Sequence, residues 1–478
     1  MLRGLTFALT LILSLVTIKP AMAFDNYLDG VTTLEEVMDY TLTNHVSGPS
    51  LDDLVNGAIE GMLETLDDPY TEYMTADTLK EFTHSLNGDY VGIGVQVEAA
   101  NGYAKIVDVF ADSPAQRAGL KVGDIIVAVD GEDVYKKPLS SIVDKILGDE
   151  NTPVKITIRR AYDIEVTLYR QAVKTNTVKT NIEDNIAHIQ VTSFGDDTAE
   201  QFNSAVSQAV SQNVKGIIID LRDNPGGYVV TAVQMAANFL PAGTELVSMV
   251  ERSGAETTYP IFGDRQLVDV PIVMLINENS ASASEILAGA LQHYQKAQLV
   301  GQQTYGKGTV QTVIGLSNGG ALKLTVAKYQ LPNGQFIDGM GLTPDVKVKT
   351  PELQLFRAKQ LLQSTDEPIT LKLNVGQHHA TINGQGLNIQ SAPYVHNSVY
   401  YLPLCLVMET FGYQVEWNQG RNGVTMVRGG KQLFVPLKGD TVHPVAVKNG
   451  VSYLSTADIA QLGVKCQIDG QSIIITED

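Results

Sequence analysis

Cysteine is nearly absent from this 478-residue chain: only Cys405 and Cys466 occur, both within the last hundred residues. With no cysteine pairs at ligand spacing and no His-Glu-x-x-His string, the common zinc patterns are excluded, and neither a metal nor another cofactor is expected. A disulfide between the two cysteines and a pair of free thiols both stay open, since Cys405 lies in the apolar run Leu402-Pro-Leu-Cys-Leu-Val-Met408. Positive charge is also short. Thirty-four Lys and Arg face 53 Asp and Glu, a net charge of −19, which argues against nucleic acid or an anionic membrane surface as partner. The eight histidines are scattered. His293 is the one close in sequence to Ser282, yet eleven residues along a helix would put it ~16 Å away, so a Ser-His-Asp triad is unsupported. His188, in the alternating string Ile186-Ala-His-Ile-Gln-Val191, reads as a packed or edge residue.

Long apolar runs are missing after the first twenty residues, so no later segment is expected to span a membrane. At the start, one arginine precedes the apolar run Leu5 to Ile18, and Ala21-Met-Ala23 supplies an A-x-A site. Residues 1–23 read as a secretory signal peptide, predicting export to the periplasm, the cell envelope or the extracellular space.

Against these absences stand three strings. Pro271-Ile-Val-Met-Leu-Ile-Asn277 reads as a strand. It breaks at Ser280-Ala-Ser-Ala-Ser284 and continues with the helical spacing of an Ala/Leu-rich stretch. Ser282 falls at the strand-to-helix junction, where free amides and the helix dipole favour negative charge. Serine before a helix is also the commonest N-cap, so this string alone leaves both readings open. Upstream, Gly216-Ile-Ile-Ile-Asp-Leu-Arg-Asp-Asn-Pro-Gly-Gly-Tyr228 reads as a buried parallel strand ending in a turn, whose paired glycines let a backbone amide approach a ligand. Downstream, Thr304-Tyr-Gly-Lys-Gly-Thr-Val-Gln311 carries Lys307 among apolar and small neighbours. A lysine with an ordinary pKa near ~10.4 is a useless base at neutral pH, and burial lowers that value. Gln311, four residues on, would share its face in an extended segment.

In order and spacing, Asp220-Leu-Arg-Asp-Asn-Pro-Gly-Gly227, Ser280-Ala-Ser-Ala-Ser-Glu-Ile286 and Tyr305-Gly-Lys-Gly-Thr-Val-Gln311 resemble the signature blocks of the carboxy-terminal processing proteases, PDZ-containing serine peptidases with a Ser–Lys dyad. The resemblance covers roughly residues 30 to 350. It implies Ser282 as nucleophile, Lys307 as base and Gln311 as the group orienting it. It also implies an oxyanion hole from the amide of Ala283 and that of Gly226 or Gly227. A trypsin-like alternative would need a Gly-Asn-Ser-Gly-Gly loop, which the chain lacks. A non-catalytic PDZ scaffold of the envelope is the rival from another class; it would be expected to lose Ser282, Lys307 or Gln311, and all three are present.

The fold expected is multidomain, α/β and α+β. Residues 24–86 form a helical N-terminal region with Ser50 as an N-cap, packing on the catalytic part or mediating a homodimer. Residues 87–173 resemble a PDZ domain through Tyr90-Val-Gly-Ile-Gly-Val95 and Asp112-Ser-Pro-Ala-Gln-Arg-Ala-Gly119. The first of these strings matches the carboxylate-binding loop, in which Tyr90, Val91, Gly92, Ile93, Gly94 and Val95 would receive polypeptide C-termini, with Ile93 lining a pocket for an apolar last residue. Where some relatives carry a coupling arginine the chain has Lys145-Ile-Leu-Gly148, and Lys136 and Lys137 read as solvated. Residues 174–365 alternate buried strands and helices, an α/β peptidase core. Residues 370–478 contain a weak internal repeat of strand, short helix and hairpin that resembles the N-terminal stalk module of copper amine oxidases. His378, His379, His396 and His443 are too scattered there to argue for a metal. A binding or spacing role, with a cell-envelope partner, is expected of it.

Overall fold

The central strands are apolar at every position because both faces of their sheet are covered. In the computed structural model, which describes residues 26–86, 90–173, 176–263, 267–363, 368–436, 446–460 and 462–477, the core sheet runs in the order Val178–Glu183, Ile186–Val191, Gly216–Asp220, Ile272–Ile276, Ala297–Gly301, Val346–Lys347. The first pair is antiparallel and the remaining neighbours are parallel. The signal-peptide reading of residues 1–23 and the position of His443 lie outside the described residues.

Strand alternation sorts the side chains into two cores. Ile217, Ile219, Met274, Ile276 and Leu299 point to one face, against the helices Thr198–Ser211, Val229–Ala236 and Ala283–His293. Ile218, Val273, Leu275 and Val300 point to the other, into a core that also contains Leu353 and Ala358 of the helix Pro351–Gln363 and Leu371, Leu402, Met426, Leu454 and Ile475 of the C-terminal part. The C-terminal module was expected to bind or to space, and it also covers the second face of the core sheet. Its repeat is real in structure. Val399–Pro403, Leu404–Thr410, Gln414–Asn418 and Gly423–Arg428 are matched by Val451–Ser455, Thr456–Ala460, Val464–Asp469 and Ser472–Glu477, and the two leading strands pair antiparallel. Cys405 and Cys466 are free thiols at the rim of this core, and burial pushes both up to about 11.

Residues 90–173 form a separate core on a sheet ordered Val95–Ala100, Tyr103–Val109, Ile125–Val129, Pro153–Arg159, Asp163–Tyr169, with the helix Leu139–Ile146 beside it. Val95–Ala100 is an edge strand, with one side unpaired within the sheet. Tyr90–Gly92 pairs with Gln171–Val173 where the chain enters and leaves this unit.

The chain divides into two compact units between Tyr73 and Met74. In the first, Tyr27–Asn44 and Leu51–Glu64 are helices, and the Ser50 side chain accepts from the Asp53 N–H as an N-cap does. The third helix of the expected N-terminal region, Ala76–Leu86, belongs to the second unit. The two helices of the first unit bury no residue, and leave Tyr27, Leu28 and Tyr40 each more than two-thirds exposed. Among the described residues no helix is long and apolar enough to cross a membrane.

Candidate active site

Ser282 stands between the strand Ile272–Ile276 and the helix Ala283–His293 at φ 56°, ψ −117°. A non-glycine residue held there costs on the order of 1–3 kcal/mol and persists only where its surroundings over-determine it. The flanking serines supply that constraint. Ser280 Oγ donates to the Leu221 carbonyl at 2.7 Å and accepts from the Asn277 N–H at 3.0 Å, and Ser284 Oγ donates to the Asn224 carbonyl at 3.0 Å. Both flanking hydroxyls are buried and engaged, while Ser282 is half-buried, the most open of the three.

The turn after Gly216–Asp220 closes over this junction. A Cβ on Gly226, whose φ is +99°, would lie 2.8 Å from Ser282 Cβ and 2.9 Å from the Ala283 nitrogen, so only glycine lets the two segments meet. The Gly226 N–H donates to Asn224 Oδ1 at 2.9 Å. Of the two glycines that the sequence left open, Gly226 therefore has its amide engaged, and Gly227 makes no such bond among the described residues. Ala283 is the first residue of its helix, so its N–H has no intrahelical acceptor.

The carboxylate of Glu285, fully buried, lies beneath both candidate catalytic residues. Its Oε2 accepts the backbone N–H of Ser282 at 2.9 Å and that of Lys307 at 3.0 Å, while Oε1 accepts the Thr304 hydroxyl at 2.5 Å and the Gly306 N–H at 2.8 Å. Tyr329 Oη is 3.4 Å from Oε2. Burial pushes the Glu285 carboxyl above the ordinary carboxylate range, and these donors pull it partly back. Sequence reasoning missed this residue, although the Ser-x-x-Glu spacing of a capping box was there to find it.

Lys307 is half-buried. Its relation to Gln311 is not the simple same-face one expected. The strand begins only at Thr309, and its pairing with Ala321–Gln330 shifts register between Val310 and Gln311. The Gln311 amide nitrogen donates to the hydroxyls of Thr309 and Thr325 at 3.0 and 3.1 Å, which fixes Oε1 as the side chain's remaining acceptor.

A second buried carboxylate lies at the start of the glycine turn. Asp220 accepts from His188 Nε2 at 3.0 Å and from Arg222 Nε and Nη2 at 2.8 and 2.6 Å. Arg222 in turn donates to the Pro351 carbonyl and to Gln354 at 3.2 Å. Burial pushes the Asp220 carboxyl up, but Arg222 and then His188 outweigh it and hold it at about 2. Packed in its strand, His188 thus has a specific partner that the sequence did not reveal.

In the PDZ-like loop, Ile93 corrects an expectation: its side chain is fully buried in the unit's own core and lines no accessible pocket. Half-buried Val95, Val97 and Leu139 border that core instead. Gly94, at φ +81°, has no room for a Cβ against Ser113. The Tyr90 ring packs edge-on to Phe110, and burial pushes its hydroxyl up to about 12. Beside the loop a cavity of about 820 Å³ opens among Lys80, His84, Tyr90 and Leu147. Lys145 and Lys137 both pair with Glu132, so Lys137 is not simply solvated.

Four family models match the chain: peptidase family S41 over residues 185–348, a PDZ domain over 105–160, the copper amine oxidase N-terminal domain over 353–426 and the activating protease CtpB N-terminal domain over 21–78. A probable CtpA-like serine protease of Staphylococcus epidermidis is 36% identical over 307 residues, 64% of this chain and 62% of that protein. The chain thus spans less than two thirds of that relative's length. A probable CtpA-like serine protease of Staphylococcus aureus is 33% identical over 355 residues, 72% of each. Among solved structures, the photosystem II D1 C-terminal processing protease is 26% identical, covering 70% of this chain and 91% of that one at a TM-score of 0.44.

Two measurements probe the buried carboxylates. Glu285→Gln turns an amide NH₂ toward backbone donors, and urea unfolding should register a loss of about 3 kcal/mol; a change below about 0.5 kcal/mol would refute the tether. For Asp220, the folded value of about 2 lies below the ordinary 3.8. Its contribution is therefore complete above pH 3.8 and is lost as pH falls toward 2. Asp220→Asn should cost about 2 kcal/mol at pH 7, with the gap to the parent narrowing by pH 2.5. A gap equal at both pH values would contradict the linkage.

Proposed function

The chain belongs to the CtpA-like serine protease family, within peptidase family S41, and from that premise we propose that it is itself a serine endopeptidase acting through Ser282 and Lys307. What carries the reading is the state of the three serines: Ser280 and Ser284 are buried and hydrogen-bonded, and Ser282 is the strained, more open one at the helix start. Glu285 ties the backbone of Ser282 to that of Lys307 through one carboxylate oxygen, which supports the pairing of nucleophile and base.

In this reading Ser282 Oγ attacks the scissile carbonyl carbon while its proton passes to the neutral Lys307 amine, which the Gln311 oxygen orients. The carbonyl oxygen becomes an oxyanion held by the amides of Ala283 and Gly227. Collapse breaks the peptide C–N bond; the departing amine takes the proton from Lys307, and the acyl group stays on Ser282. Water then attacks the ester, again with Lys307 as base, releasing the new carboxylate and restoring the hydroxyl.

Substrates are proposed to be unfolded or partly folded proteins captured by their C-terminal tails. The edge strand Val95–Ala100 offers unpaired backbone to an added strand, and the loop 90–95 lies at its start.

Ser282→Ala and Lys307→Ala should each abolish cleavage of an unfolded protein and leave circular dichroism unchanged. Full activity in purified Ser282→Ala would end the assignment and favour the scaffold reading or another nucleophile. The parent rate should rise with pH through the base's pKa, and a rate flat from about pH 5 to 9 would exclude a titrating amine.

Tail recognition is measured with one unfolded substrate ending in apolar residues, offered with a free and with an amidated terminus. Amidation should slow cleavage at least ~10-fold, about 1.4 kcal/mol. Equal rates would show that the PDZ domain does not read the carboxylate.

A further inference from the structure

A cavity of about 450 Å³ lies at the seam between the catalytic sheet and the C-terminal module. Its walls come from the last core strand and its continuation (Val346 to Val348), the helix Pro351–Gln363, the turn after Leu404–Thr410, and the hairpin end at Arg428 to Gly430. In a chain of net charge −19 the charged side chains lining it among the described residues are all cationic: Lys347, Arg357 and Arg428.

Two of these have local counter-ions at the rim. Lys347 Nζ is 2.5 Å from Glu416 and Arg428 Nη2 is 2.6 Å from Glu477, all of them partly exposed. The third does not. Arg357 is half-buried, reaches from its helix to within 3.6 Å of where a Cβ on Gly412 would stand, and donates from Nη1 to the neutral Gln360 amide oxygen at 3.0 Å. Among the described residues it has no carboxylate partner. Burial, and then the charge of Arg428, act against the charged form of Arg357. Two guanidinium groups facing one cavity that no carboxylate lines among the described residues are unfavourable unless something negative enters.

We infer that this cavity is an anion-binding site that takes a small oxyanion, a phosphate or carboxylate group, between Arg357 and Arg428. A planar guanidinium presents paired N–H donors that match two oxygens of such a group, so Arg357 would meet the ligand bidentately. Arg428 is held in place by Glu477 and by the Tyr413 ring 5.5 Å beneath its guanidinium carbon, and Lys347 adds a point charge at the mouth. The bound group would bridge the catalytic core and its C-terminal lid, because the arginines that hold it come one from each. The cavity involves none of the residues placed in catalysis, so the site stands or falls independently of the peptidase reading.

The test is isothermal titration of the whole chain with inorganic phosphate, and in a second arm with acetate, at constant ionic strength balanced by sodium chloride. Saturable one-to-one binding in at least one arm is expected, and the arm that saturates identifies the class of oxyanion. Arg357→Gln, with its fold checked by circular dichroism, should weaken that binding at least ~10-fold, and Arg357→Lys should recover part of it. If Arg357→Gln does not fold, Arg428→Gln is held to the same criterion. Absence of saturable binding in both arms, or equal affinity in the folded glutamine variant, would overturn the site.

Discussion

One buried carboxylate organises the candidate catalytic centre. Glu285 lies inside the protein and accepts from the backbones of Ser282, Gly306 and Lys307 and from the Thr304 hydroxyl. Serine and lysine are twenty-five positions apart, on segments that also meet where the Tyr305 N–H donates to the Ser280 carbonyl at 3.1 Å. Binding both backbones to a single oxygen converts that separation into a rigid geometry, which is what a proton transfer between their side chains needs. The cost is a carboxylate out of water, and burial accordingly acts against its charge. An apolar residue at 285 would leave four donors unsatisfied, and a neutral amide would oppose two of them with donors of its own.

Around this tether the remaining parts follow a common logic in which neighbours, not the reactive groups themselves, carry the constraints. Asn224 engages the Gly226 amide and, through its carbonyl, the Ser284 hydroxyl and the Ala281 amide. Gly227 and Ala283, by contrast, donate no backbone hydrogen bond among the described residues. Asp220 fixes Arg222, and Arg222 reaches the start of the helix Pro351–Gln363. The glycine turn is thereby joined to the layer that covers the opposite face of the sheet.

Much of this was legible in the chain itself, and the exceptions have physical causes. Ser282 and Lys307 sit in local strings whose chemistry does not depend on distant partners, so their positions could be read directly. The fully apolar run at Ile217 to Ile219 correctly announced a strand buried on both sides, but an apolar pattern does not say what covers it. That half of the cover comes from residues 371–475 is a tertiary fact. That the Gly226 amide is engaged depended on where the Asn224 side chain points. The Asp220–His188 pair depended on sheet order, since the two residues are thirty-two positions apart on adjacent strands. Ile93 was misjudged because an apolar residue in a binding loop can face inward as easily as toward a ligand, and Ile93 lies between two strands where no alternation applies. The step from Lys307 to Gln311 failed as a same-face argument because the intervening backbone is not continuous strand.

The shared core beneath the sheet has a consequence for how the molecule comes into being. A polypeptide is made from its amino end, and domains usually close as they emerge. Here Ile218, Val273, Leu275 and Val300 are translated long before Leu454 and Ile475, with which they share a single apolar interior. A nascent chain that already contains both candidate catalytic residues still shows a bare apolar face until the strand Ser472–Glu477 has been synthesised. The core sheet thus gains its second cover only from residues that lie far beyond Lys307 in the chain.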